Sequence, residues 1–317
     1  MPLPFVGARV LLVARLNARY HRVGRALRSA LTSLGCEVNV VEERTRGLNQ
    51  VLGRDLARRL GKAVGSHRPD LVLVYKGGDL DPSTIDALRP STPARWVNWF
   101  PDGPHHLDLS LRIARGYDLC FIFDTSMVAR HRAAGHRAEY LATGFDPDFY
   151  RPPSGRRTAR HRIAFVGSYE PFRAKAFEPL ADLGLAVWGP GWPGGPLFGR
   201  RLIRAFAEAE VALNVHQFFG EPPEAGRYGT GANQRVFELS GIGTVQLCDA
   251  KADLSHHFRE GEEIVLFRTL EELGAAARRL LEAPEERAAI AGRARTRALR
   301  EHTWRHRLEE LLTVALR

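Results

Sequence analysis

The chain has 317 residues, 44% of them hydrophobic and 26% charged, which fits a soluble globular protein of two ordinary domains and excludes a disordered or fibrous chain. Its net charge of +10 is almost wholly arginine, since lysine stands only at 62, 76, 175 and 251. These arginines are spread along helical stretches, so nucleic acid is not an expected partner. The charge suits phosphorylated small molecules and a peripheral contact with anionic membrane.

The longest apolar runs, such as VLLVA and IAFVG, are far shorter than a membrane span. No charged segment followed by an apolar one opens the sequence, so no export signal is expected and the location is read as cytoplasmic. Cys36, Cys120 and Cys248 are scattered without a CxxC spacing, each beside or within an apolar run. Packed, reduced thiols are expected.

In chain order, ARVLLVA (8–14) reads as a buried strand, 22–34 as a helix stopped by Gly35, EVNVV (37–41) as a strand and 51–64 as a helix. Strands follow at DLVLVY (70–75), RWVNWF (95–100), DLCFIF (118–123) and EYLATGF (139–145), with short helices or loops between them. Apolar runs bounded by turns and separated by helices imply a parallel sheet covered on both faces, a Rossmann-like domain over 1–150. The proline-bearing, charged segment 146–162 reads as a linker. The alternation then restarts over 151–317, with strands IAFVGS (163–168), LAVWGPG (185–191), VALNV (211–215), GTVQLCD (243–249) and EIVLF (263–267). Helices are expected near 173–183 and 201–209 and through to the end, the last of which could pack back on the first domain. The fold class is α/β, two doubly wound parallel-sheet domains facing a central cleft, with function in the loops after strands.

Arg235 and Glu238 stand three residues apart, between a Gly-rich loop and a Gly-Ile-Gly break. Either they form an i,i+3 ion pair on a helix surface, worth about 0.2–0.5 kcal/mol, or they face a ligand carrying phosphate and hydroxyl groups. Arginine suits phosphate because its planar fork bonds two oxygens at once. Two Asp-x-Asp pairs, 79–81 and 146–148, have the spacing of a manganese site, but the first reads as a helix cap and the second falls in the linker, so no metal is expected. GGDL lacks the GxGxxG order, and no nicotinamide cofactor is expected.

The stretches FVGSYEPFR (165–173), VWGPGW (187–192), NQRVFELSGIGTVQLCD (233–249), FREGEEIVLF (258–267) and REHTWRHRLEELL (300–312) resemble the CgeB-like (spore maturation protein B) glycosyltransferases of the GT-B class, related to retaining glycosyltransferase family four. WVNWFPDGP (96–104) and LATGFDPDFYRP (141–152) match more loosely. The resemblance implies a metal-independent hexosyltransferase-type enzyme, without cofactor, that takes a nucleotide-diphosphate sugar, expected to be UDP-linked, in its second domain and an acceptor in its first. Domain closure would exclude water from the donor. It implies that Gly167, Ser168, Arg173 and Lys175 meet the diphosphate, and that Gly189 and Trp192 lie against the base. Arg235 would face the diphosphate and Glu238 would accept the ribose hydroxyls. Asn233 would cap the helix or touch the sugar, and Tyr228 would touch donor or acceptor. The second glutamate of family four falls at Thr230, which leaves Glu221 or Glu224 of the long loop 218–233, read as a mobile lid, as substitutes. Asp102, aligned with a family aspartate, and His105 and His106 are acceptor-side candidates, and Arg19, His21 and Gly24 are phosphate-side ones. Two other readings stay open: a nucleotide-sugar 2-epimerase, and a non-enzymatic binder of anionic polymer. Sugar, acceptor (polysaccharide, lipid or small molecule), stereochemical outcome and oligomeric state are not legible.

Overall fold

The computed structural model describes residues 4–16, 22–43, 55–154, 158–219 and 227–317. The chain forms two compact units, Met1–Ala142 with Trp304–Arg317, and Thr143–Thr303. In the first, β1 (Arg9–Ala14), α1 (Val23–Ser33), β2 (Glu37–Glu42), α2 (Asp55–His67), β3 (Leu71–Tyr75), α3 (Pro82–Leu88), β4 (Arg95–Phe100), α4 (Leu107–Ala114), β5 (Leu119–Ile122), α5 (Thr125–Ala133) and β6 (Ala138–Tyr140) alternate. The strands pair in parallel in the order β2-β1-β3-β4-β5-β6. Successive side chains of β1 point to opposite faces. Val10 and Leu12 join the cluster under α1, while Leu11 and Val13 join the cluster under α2. A strand buried on both faces must be apolar throughout, which is why RVLLVA shows no alternation.

The second unit repeats the scheme with β7 (His161–Val166), α6 (Pro171–Ala176), β8 (Leu185–Trp188), α7 (Arg200–Ala207), β9 (Ala209–Asn214), α8 (Gln234–Ile242), β10 (Gln246–Asp249), β11 (Val265–Phe267), α9 (Leu270–Glu282) and α10 (Pro284–Glu301). Its parallel order is β11-β10-β9-β7-β8. Ile163 and Phe165 face one core and Ala164 and Val166 the other. The last helix, α11 (Trp304–Ala315), belongs with the first unit, where Trp304, Leu308, Leu311 and Leu312 complete the core beneath β1 and α1.

Several boundaries differ from the expectation. The helix at 173–183 is α6 followed by a 3-10 segment, Glu178–Leu183, because Pro179 offers no N–H to continue the α ladder. The strand at 139–145 shrinks to β6, since only Ala138–Tyr140 pair with β5. The strand at 243–249 begins at Gln246 because Gly243, at φ 75°, ends α8 in the left-handed region. Segment 146–154 is no loose linker: it lies within the second unit, and Phe149 and Tyr150 pack on the core beside α7. Among the described residues no helix is long and apolar enough to cross a membrane.

Candidate functional site

In both sheets the first and third strands of the unit are neighbours, so the connections leave in opposite directions at β1/β3 and β7/β9. Such a switch point opens a crevice beyond the carboxyl ends of the strands. At β7/β9 a single side chain spans it. Arg173 on α6 is 8% exposed, and its Nη1 donates to Ser168 O at 2.9 Å and Ser168 Oγ at 3.2 Å. Its Nη2 donates to Val215 O at 2.8 Å. The guanidinium carbon lies 5.4 Å from the Phe165 ring centre and 5.9 Å from that of Phe172. Burial pulls its pKa down, opposed by the charges of Glu170 and Asp249. Arg173 therefore clamps the ends of β7 and β9 together, and only its buried Nε lacks a partner. Most of its donors serve the backbone at the two strand ends. Lys175, on the same helix, is exposed.

The glycines after β7 and β8 serve each other. A Cβ on Gly189, at φ 144°, would lie 1.7 Å from Gly167 O, and one on Gly191 would lie 2.7 Å from Tyr169 Cβ. Gly167 N donates to Trp188 O at 2.9 Å and Tyr169 N to Pro190 O at 2.8 Å, zipping the two loops together. What the absence of a side chain at Gly189 admits is the backbone of Gly167. Trp192 stacks on Phe177 at 5.5 Å and meets Tyr169 edge-on at 4.9 Å, so its ring braces the loop.

Beyond β9 and β10 lies a network in which sequence reasoning named Tyr228 and Asn233 but missed His216 and Asp249. His216 Nδ1 and its backbone N–H both bond Asp249 Oδ1, at 2.8 and 2.7 Å, and His216 Nε2 accepts Asn233 N–H at 3.0 Å. Tyr228 Oη lies 3.1 Å from both Asp249 Oδ2 and Ala250 O, with Lys251 Nζ 2.9 Å from its ring centre. Lys251 in turn donates to Gly229 O at 2.8 Å. Burial works against charge on Asp249, but His216 and Lys251 hold its carboxyl below the usual range. Burial and Asp249 push the Tyr228 phenol up. His216, Cys248 and Asp249 offer atoms within 4.8 Å of one another, as a cation site would, yet both His216 nitrogens are engaged in hydrogen bonds. The sequence signal was a polar residue directly after VALNV.

Asn233 caps α8, its Oδ1 accepting Val236 N–H at 3.2 Å, and exchanges amide bonds with Asn214 at 3.1 and 3.2 Å. One turn on, Arg235 Nη1 meets Glu238 Oε2 at 2.6 Å while Gln234 Nε2 donates to Glu238 Oε1 at 2.7 Å. Tyr150 also hydrogen-bonds Glu238. The i,i+3 pair is therefore real but not a surface pair, since the Glu238 side chain is 6% exposed and that of Arg235 25%. Each Glu238 oxygen thus already accepts from a neighbour, with acceptor capacity left over. Thr230 Oγ1 bonds Asp253 Oδ2 at 3.2 Å. Glu221, Glu224, Arg19 and His21 lie outside the described residues.

In the first unit Asp102 pairs with Lys76 Nζ at 2.7 Å, and Lys76 holds φ 70°, unusual for a residue with a side chain. His105 and His106 adjoin it on a 3-10 turn, rings 4.3 Å apart. At the β1/β3 ends Arg15 bridges Glu43 at 3.2 Å and Asp79 at 3.0 Å, and a Cβ on Gly24 would meet Arg15 O at 2.5 Å. Asp81 caps α3 by accepting Ser83 N–H at 2.9 Å, and Asp146 accepts Asp148 N–H at 3.1 Å. Both Asp-x-Asp pairs thus serve local backbone and ion-pair roles.

Residues 171–313 match a family model described as glycosyl transferase-like. No curated protein matches the sequence. Among solved structures, AviGT4, a glycosyltransferase involved in avilamycin A biosynthesis, is 18% identical, with 97% of each chain covered and a TM-score of 0.66. Sucrose-phosphate synthase from Thermosynechococcus elongatus is 11% identical over 96% of this chain and 98% of its own, TM-score 0.64. HepE from Anabaena, solved with UDP-glucose, is 11% identical over 96% and 98%, TM-score 0.63. These likenesses establish the GT-B fold across the chain.

Proposed function

We propose that this glycosyltransferase of the GT-B fold binds a nucleotide-diphosphate sugar, uridine-linked, at the carboxyl end of its second sheet and transfers the sugar to an acceptor held by its first unit. The observation that carries this reading is Arg173 spanning the β7/β9 switch point, with the interlocked glycine loops beside it and Arg235 in the first turn of α8. A diphosphate seated there would take charge from Arg173 and Arg235, with no metal required. Occurrence of UDP-glucose in the similarly folded HepE supports the choice of donor.

The motifs at 165–173, 187–192 and 233–249 support placement in the CgeB-like group, and with it retention at the anomeric carbon. On that reading a donor phosphate oxygen receives the acceptor proton, and Arg235 offsets charge on the leaving diphosphate. The carboxylates described around the switch point favour it: Asp249 and Glu238 already accept from their neighbours. Glu238 then accepts a ribose hydroxyl beside the Gln234 bond or in place of it, or it acts by aiming Arg235.

Thermal melting with UDP, GDP, ADP and UDP-sugars, each with and without a chelator, tests the reading, because a ligand that binds the folded state raises its melting point. UDP species should raise it in the presence of chelator. Arg235→Ala should lower the ligand-free melt, since the buried Glu238 loses its cation, and should shrink the UDP-induced shift measured from that lower baseline. A full shift in that variant, or none with any uridine nucleotide, would refute the assignment. Transfer stereochemistry is read from the anomeric proton coupling of the product; an inverted product would remove the phosphate-assisted step.

A further inference from the structure

Asn233 opens α8, and a histidine ring takes its backbone N–H: the donor lies 3.0 Å from His216 Nε2. With Nε2 accepting, the ring proton sits on Nδ1, which donates to Asp249 Oδ1 at 2.8 Å. The ring's two bonds thus demand one tautomer of neutral imidazole. His216 is 5% exposed and Asp249 fully buried, so bulk solvent cannot replace either bond.

We infer that His216 is a positioning residue for the nucleotide-sugar donor, its neutral ring fixing the start of α8, and with it Arg235 and Glu238, against the carboxyl ends of β9 and β10. The inference rests on the donor site proposed above. Asn233 passes the constraint on through its cap to Val236 and its paired amide bonds with Asn214. Among the described residues, Asp249 and Cys248 of β10 face the ring, the latter with Sγ 3.9 Å from Nδ1. Behind Asp249 stand Tyr228 and Lys251, and the Arg173 charge reaches it from α6.

Two amide substitutions separate the ring's two bonds. The longer amide of His216→Gln reaches the Nε2 position and can accept from Asn233 N–H. The shorter amide of His216→Asn reaches the Nδ1 position, keeps a donor to Asp249 and leaves Asn233 N–H unpartnered. UDP affinity by calorimetry is paired with amide hydrogen exchange at 233–236. His216→Gln should keep wild-type affinity and protection, whereas His216→Asn should bind about tenfold more weakly, with fast exchange at 233–236. Should His216→Asn fail to fold, the comparison of wild type with His216→Gln still decides. Fast exchange with weakened binding in His216→Gln, or full protection of 233–236 in His216→Asn, would overturn the inference. If wild type binds no uridine nucleotide, the donor reading fails, and the exchange data alone judge whether His216 anchors α8.

Discussion

Arg173 illustrates how much of a residue's role lies in its direction. Its place after the strand IAFV and the small loop Gly167–Ser168 is readable from sequence. That its guanidinium points inward, to Ser168 O and Val215 O, is not, because helical spacing gives a face and not a rotamer. Arg173→Ala should lower the ligand-free stability of the second unit by about 1–3 kcal/mol, the cost of leaving buried carbonyls unpaired. Arg173→Lys should recover little, since one ammonium cannot reproduce the planar fork that bridges two strands. Denaturant melts of the two variants check both statements; a wild-type melt for Arg173→Ala would mean the clamp carries no stability. Glu238 teaches the same lesson: its i,i+3 pairing with Arg235 was legible, but its bond with Tyr150 depended on chain folded in from the 143–154 segment.

At the scale of elements, the loops after β7 and β8 form one object. Gly189 sits where its φ of 144° and the carbonyl of Gly167 leave no space for a side chain. Gly189→Ala should therefore cost about 2 kcal/mol or more and weaken UDP binding together with stability. Gly195→Ala, with φ 65° but open space around its Cβ position, should cost less. Equal melting of the two variants would show that the loop contact is not what excludes a side chain at 189. The sequence marked these glycines as turn-formers, but a turn signal is local and could not reveal that two turns interlock.

Across the whole molecule, buried titratable groups set the response to pH. His131 is fully buried, with Nδ1 bonded to Met127 O at 2.9 Å and Nε2 to Ser110 Oγ at 2.8 Å, and burial pulls its pKa below the ordinary histidine value. Its folded-state pKa being depressed, the unfolded chain binds the proton more readily. Its contribution is therefore complete above about pH 6.5 and is lost as pH falls from there towards the folded value. Stability of the first unit should decline on mild acidification, and His131→Gln should flatten that slope; an unchanged slope would assign it elsewhere. Burial likewise pushes the Cys36 and Cys120 thiols up, to about 11 and about 12, and Cys248 well above its usual value. All three should resist alkylation at neutral pH until the chain unfolds, as mass spectrometry of labelled native protein would show.

The sequence by itself determined the repeated strand–helix alternation, and through it the two parallel sheets and the loops in which function is sought. An apolar strand buried on both faces and a helix with one apolar face leave direct one-dimensional traces. Tertiary structure alone decided that Arg173 spans two strand ends, that Glu238 is shielded, and that His216 meets Asp249 across 33 residues of chain. It also returned α11 to the first unit, across the whole of the second. Those contacts join residues distant in sequence, and periodicity carries no record of which strand lies beside which.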